Sequence, residues 1–184
     1  MNSLLLGAAA LWIALQPWQT AGELAAHRAD ADAFPDMKEL AAIDSLVGSW
    51  DLDVAYHHDD GRIEHQSGEW HFAWILDGRA VQDVWRMPGS YGTTIRAWDP
   101  DLGAWRGTWI SELSDGTTTF VASAIAGEIV MESQGEEEIS RWIFSDITPE
   151  SFHWRAVRTA DGGRTWQVVQ ERDARRRRTA DQSR

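Results

Sequence analysis

Two charged residues embedded in aromatic, strand-like sequence are the first candidates for chemistry. Asp83 sits in Val81-Gln82-Asp83-Val84-Trp85 and Arg96 in Thr94-Ile95-Arg96-Ala97-Trp98. In a strand, alternate residues share a face, so Asp83 travels with Val81 and Trp85, and Arg96 with Thr94 and Trp98. A carboxylate and a guanidinium on apolar faces must find each other or a ligand, because an unpaired buried charge is costly. Paired, they satisfy one another. Engaged with a ligand, Arg96 would grip a carboxylate or carbonyl, and Asp83 would give or take a proton.

Other polar groups have the right types but poorer spacing. His57-His58-Asp59-Asp60 contains metal-ligand residues, yet neighbours on a strand point to opposite faces, and a solvated hairpin loop is the better reading. Glu136-Glu137-Glu138 reads as a solvated turn. Arg141, His153, Arg155 and Glu171 form a candidate polar cluster near the last strands. The pairing there stays open: an even loop sets Trp154 against Glu171, an odd one against Gln170. There is no glycine-rich phosphate loop, no Gly-x-Ser-x-Gly elbow and no metalloprotease helix. Cysteine is absent, which removes disulfides, thiolate metal sites and a Cys nucleophile together. No cofactor and no metal is expected.

The elements that must position Asp83 and Arg96 are short strands. From Leu46 onward the apolar period is two, interrupted by turn residues every 8–14 positions or so. Strands are expected at 48–56, 62–76, 79–87, 91–99, 104–112, 117–125, 128–133, 139–146, 151–159 and 165–173. Turn chemistry falls at Asp59-Asp60-Gly61, Asp77-Gly78, Pro88-Gly89, Asp99-Pro100-Asp101, Asp115-Gly116 and Asp161-Gly162-Gly163. Thr159 to Trp166 also fits the Asp-box pattern, a structural hairpin turn. No long helix separates two strands, so parallel crossovers are not expected. The economical closure is all-β: an antiparallel up-and-down barrel of about ten strands, preceded by a short N-terminal helical segment that Pro35 opens.

Ten of the twelve Trp lie between Trp50 and Trp166. Of the two possible faces, the set Trp70/Phe72/Trp74, Val81/Asp83/Trp85, Thr94/Arg96/Trp98, Trp105/Gly107/Trp109 and Trp142/Phe144 is the more apolar, and it is placed inward. A tight turn at Pro88-Gly89 then sets Asp83 opposite Thr94 and diagonal to Arg96. A similar turn near Asp101-Leu102 sets Trp98 opposite Trp105 and Arg96 opposite Gly107. That glycine is expected to leave room for the guanidinium across the barrel floor. Trp74, Trp85, Arg96, Trp98, Trp109 and Trp154 are the candidate ligand contacts, and Asp83 and Arg96 the candidate catalytic groups.

The chain divides into an apolar N-terminal segment and linker (1–33), a barrel domain (34–174) and a basic, disordered tail (175–184). The apolar run at 4–15 is too short to span a membrane. It fits a signal-peptide core with Thr20-Ala21-Gly22 as cleavage site, but residues 1–3 contain no Lys or Arg. A helix that docks on the barrel or joins a homodimer is the alternative, so exported and cytoplasmic locations both stay open. The net charge of −12 argues against binding nucleic acid or anionic lipid. It is uneven: residues 172–184 hold six Arg and two Asp, which leaves the remaining chain at −16.

Pro35, Met37-Lys38 and Leu46-Val47-Gly48-Ser49-Trp50 resemble the opening of an uncharacterised bacterial calycin-like family of unknown function. Asp77-Gly78-Arg79-Ala80, Tyr91 to Arg96, Arg141 to Thr148 and Asp161 to Trp166 follow in that family's order, so the resemblance spans about 34–174. It implies a lipocalin-like barrel and brings no reaction or ligand with it. Nitrobindin-type haem barrels share the Gly-x-Trp start, but no His here matches their iron ligand. Together these residues suggest a barrel whose lumen binds a small, largely apolar or aromatic molecule. A cofactor-independent isomerase, cyclase, lyase or hydrolase acting in that lumen, and an assembly role for the termini, are the alternatives.

Overall fold

The computed structural model describes residues 43–112, 116–134 and 138–178. The N-terminal apolar run and the helical turn expected after Pro35 lie outside them. Ten strands follow a helical turn at 43–46: β1 (Gly48–His57), β2 (Ile63–Ile75), β3 (Ala80–Met87), β4 (Ser90–Asp99), β5 (Ala104–Ser111), β6 (Thr117–Ile125), β7 (Glu128–Gln134), β8 (Ile139–Ser145), β9 (Ser151–Thr159) and β10 (Gln167–Arg176). Each strand pairs antiparallel with its sequence neighbours, and β1 pairs with β10 to close the ring. A closed ring leaves no unpaired strand edge. The fold is an up-and-down barrel, and no helix among the described residues is long and apolar enough to cross a membrane.

Alternation along the strands sorts the side chains. Trp70, Phe72, Trp74, Val81, Asp83, Trp85, Thr94, Arg96, Trp105 and Phe144 are all buried, while Trp98, Trp109 and Trp142 are partly buried and pack against the core. The inward face is therefore the Trp-rich one. At one end the helical turn plugs the barrel: Ile43 and Leu46 are buried, Trp50 Nε1 donates to the Leu46 carbonyl at 2.8 Å, and Trp74 Nε1 to Asp44 at 2.9 Å.

The basic run begins inside the barrel, because β10 continues two residues past 174. The Arg176 guanidinium lies 4.1 Å above the Trp50 ring and donates to the carbonyls of Val47, Ser45 and Pro149. Arg177 pairs with Asp51 and Glu69. Arg176 ties the plug to β10 and Arg177 ties the end of β10 to β1 and β2, each guanidinium satisfying several acceptors at once.

The β9–β10 hairpin is set by Asp161. Its carboxylate accepts from the backbone N–H groups of Arg164 (2.9 Å) and Thr165 (3.0 Å) and from the Thr165 hydroxyl (2.7 Å). Gly162 and Gly163 take φ of 72° and 89°, which the turn requires and which glycine adopts without strain. The hydrogen bonds from Thr165 and then Thr159 hold the Asp161 carboxyl down at about 2. A carboxyl with a folded-state value below its unfolded one stabilises above the unfolded value and loses that contribution as pH falls through the folded one. The amides of Arg164 and Thr165 should lose their exchange protection between about pH 4 and pH 2, before the barrel strands do. Amide exchange followed by NMR checks this.

Candidate functional site

The strand registers bring the two charged candidates together. Pro88 and Gly89, the latter at φ 73°, make a two-residue connection, so Met87 pairs with Ser90 and Asp83 with Thr94. Asp99 accepts from the backbone N–H groups of Asp101 and Leu102, which sets the next turn and pairs Trp98 with Trp105 and Arg96 with Gly107. Arg96 Nη1 donates to Asp83 Oδ2, and Trp70 Nε1 donates to Asp83 Oδ1 at 2.9 Å. Exposure is 0% for Asp83 and 1% for Arg96. Both carboxylate oxygens are thus engaged in the barrel interior.

Gly107 has a different job from the one its register suggests. A Cβ there would collide with the Phe120 ring, well inside contact distance. Phe120 is its cross-strand partner on β6 and fills the gap that the missing side chain leaves. The Arg96 guanidinium instead sits among rings, 5.8 Å from Phe72, 5.9 Å from Phe120 and 6.0 Å from Phe144. Gly92 makes a similar slot for the Trp85 ring.

Above this floor lies a cavity of about 210 Å³, lined among others by Trp70, Trp85, Arg96, Trp109, Phe120, Trp142, Trp154 and Arg172. Of the six expected contacts, Trp85, Arg96, Trp109 and Trp154 line it. Trp74 and Trp98 do not: both pack on Trp105, at 6.3 and 5.8 Å, and Trp74 reaches the plug. Asp83 lies behind the wall rather than in it.

Arg172 is the cavity residue that the sequence did not reveal. Near the turn the register follows the even alternative, with Val168 opposite Val157. A bulge at Val169 then shifts it by one, so Trp154 faces Arg172 rather than Glu171 or Gln170. One extra residue moves all later side chains to the other face. Arg172 enters the lumen at 5% exposure, with its guanidinium 4.3 Å from Trp154, 4.7 Å from Trp70 and 5.1 Å from Trp85. Burial lowers it to about 10, against the pull of Tyr56 and Asp83, so it remains charged at neutral pH. The only acceptor it meets among the described residues is Gln170 Oε1, at 3.2 Å from Nη2. Arg172 Nε, Arg96 Nε and Nη2, and Trp154 Nε1 are buried with no acceptor among the described residues.

The polar residues of the last strands face outward, where Glu171 stands opposite Arg155 and within 3.6 Å of His153, while Arg141 lies apart from them. Arg141 pairs with Glu132 at 2.7 Å and Arg155 with Glu128 at 2.9 Å. His153 lies between Asp173 and Glu171, and Glu171 also takes His57 at 2.7 Å. His58 turns to Glu64 and Asp59 to Arg158, so His57-His58-Asp59-Asp60 does not converge.

No protein-family model and no curated protein matches the sequence. Solved structures do match the fold. The S-type phycobiliprotein lyase CPES of Guillardia theta aligns with a TM-score of 0.52 at 11% identity, covering 79% of this chain and all of that one. Rv2717c of M. tuberculosis aligns at 0.51 and 15% identity, covering 77% and 98%. At these identities the likeness is one of fold, that of the closed antiparallel barrel described above.

Proposed function

We propose that the protein binds a small, largely apolar or aromatic molecule in the barrel lumen, stacked on Trp85, Trp109 and Trp154 with Arg96 as a polar anchor. The cavity carries this reading: it is walled by indole rings and interrupted by a few fixed polar groups, the usual make-up of a small-molecule site. A barrel of this fold is found in a protein whose name declares action on a phycobiliprotein, in keeping with this reading. An acid–base role for Asp83 has less support, because both of its oxygens are engaged and it does not line the cavity.

A nitroaromatic probe tests the site, since it quenches indole emission on contact. Saturable quenching by 4-nitrobenzamide is expected. Ala156 lines the cavity, and Ala156→Phe fills it. That variant should keep its far-UV circular dichroism and bind the probe at least about tenfold more weakly, the equivalent of one lost ring contact or more. Equal affinity in the two proteins would place the probe elsewhere and refute the lumen.

A further inference from the structure

We infer that the lumen selects a small aromatic monocarboxylate, with the carboxylate held between Arg96 and Arg172. The inference rests on the lumen-binding reading above and adds charge, size and donor pattern to it.

The unpartnered polar atoms in the cavity wall are the first support. Arg96 Nε and Nη2, Arg172 Nε and Trp154 Nε1 are all N–H donors. A ligand that completes them must present acceptors. An ionised carboxylate has only acceptors, and its two oxygens match the fork of a guanidinium. A neutral amide would set two N–H groups of its own among these donors.

Charge balance is the second. Among the described residues the buried charged side chains are Arg96, Arg172 and Asp83, two basic against one acidic, and Asp83 is already committed to Arg96 and Trp70. A monoanion brings this set to neutrality, whereas a dianion such as a phosphate monoester would overshoot it. The surplus cation is held on three indole faces, which stabilise it without neutralising it.

Size is the third. A cavity of roughly 150 Å³ holds benzene, and here the volume is about 210 Å³. One ring or a fused pair fits within the walls. A long acyl chain or a macrocycle does not.

Calorimetric titration of the full chain with 4-nitrobenzoate and 4-nitrobenzamide separates this claim from the one it rests on. These probes differ in charge and hardly in shape. The carboxylate should bind at least tenfold more tightly, as expected for a charge-assisted hydrogen bond over a neutral one. Arg172→Gln should abolish that preference, and Arg172→Lys should retain part of it. 4-Nitrophenyl phosphate should bind more weakly than 4-nitrobenzoate. Equal affinity for carboxylate and amide in the unaltered protein overturns the inference and leaves lumen binding standing. Tight amide binding that Ala156→Phe abolishes, with no carboxylate binding, does the same. Failure of both probes to bind overturns inference and reading together. The comparison within the unaltered protein decides the matter even if an Arg172 variant fails to fold.

Discussion

Asp83→Leu is expected to lower folding stability by about 3–5 kcal/mol, the usual cost of removing one partner of a buried ion pair. Arg96 is nearly inaccessible to water, and Asp83 is its only hydrogen-bonded partner among the described residues. Without the carboxylate, the guanidinium keeps its charge and loses its compensation. Trp70 Nε1 is orphaned by the same change. The second arm is the double variant Asp83→Leu with Arg96→Met, which removes both charges and should recover most of the loss, because similarly shaped apolar residues replace a buried pair with little penalty. Urea denaturation at constant m reads both effects. If the single variant falls within about 1 kcal/mol of the parent, the pair is not the constraint described above.

Trp70→Ala should be of similar size, again about 3–5 kcal/mol. Its ring lies 4.9 Å from Phe72, 5.4 Å from Phe144 and 5.7 Å from Trp154, and it forms one face of the Arg172 cage. Truncation would open a void at the meeting point of four strands and release Asp83 Oδ1. Trp70→Phe separates these contributions: it keeps most of the ring packing and removes the N–H, so its cost should fall to about 1–3 kcal/mol, that of one unsatisfied buried acceptor. Thermal unfolding of the two variants ranks them. Added free indole should raise the midpoint of Trp70→Ala by more than that of Trp70→Phe, since the truncation adds room for it next to the existing cavity. The Asp83 and Trp70 effects should not add, as the residues share a hydrogen bond.

Much of the barrel could be read from residues, and the reason is local. Where strands are joined by short turns with strong chemistry, as at Pro88-Gly89 and Asp99 to Gly103, the turn sets the register and the register sets the face. Asp83, Thr94, Arg96, Trp98 and Trp105 followed from that alone. Gly107 was harder, because its cross-strand neighbour on β6, Phe120, decides what fills the gap. Arg172 was hidden twice over. It opens the arginine-rich end of the chain, which reads as a solvated face, and it is the bulge at Val169, against the alternation that precedes it, that turns Arg172 inward. A bulge is a tertiary compromise between twist and pairing, so periodicity does not announce it.

The seam between β1 and β10 carries a kinetic consequence. Nine of the ten strand pairings join sequence neighbours and can form as each hairpin closes; the tenth joins strands more than a hundred residues apart. Loop-closure entropy weighs most heavily on that pairing, so it is the natural last step of folding. Arg172 and Gln170 lie on the strand that completes the ring, opposite Val54 and Tyr56. Until the ring shuts, there is no aromatic cage and no enclosed cation. A half-zipped meander therefore has the strands of the binding site without its selectivity, and a lumen ligand held by Arg172 would act as a latch on the final closure, slowing its reopening.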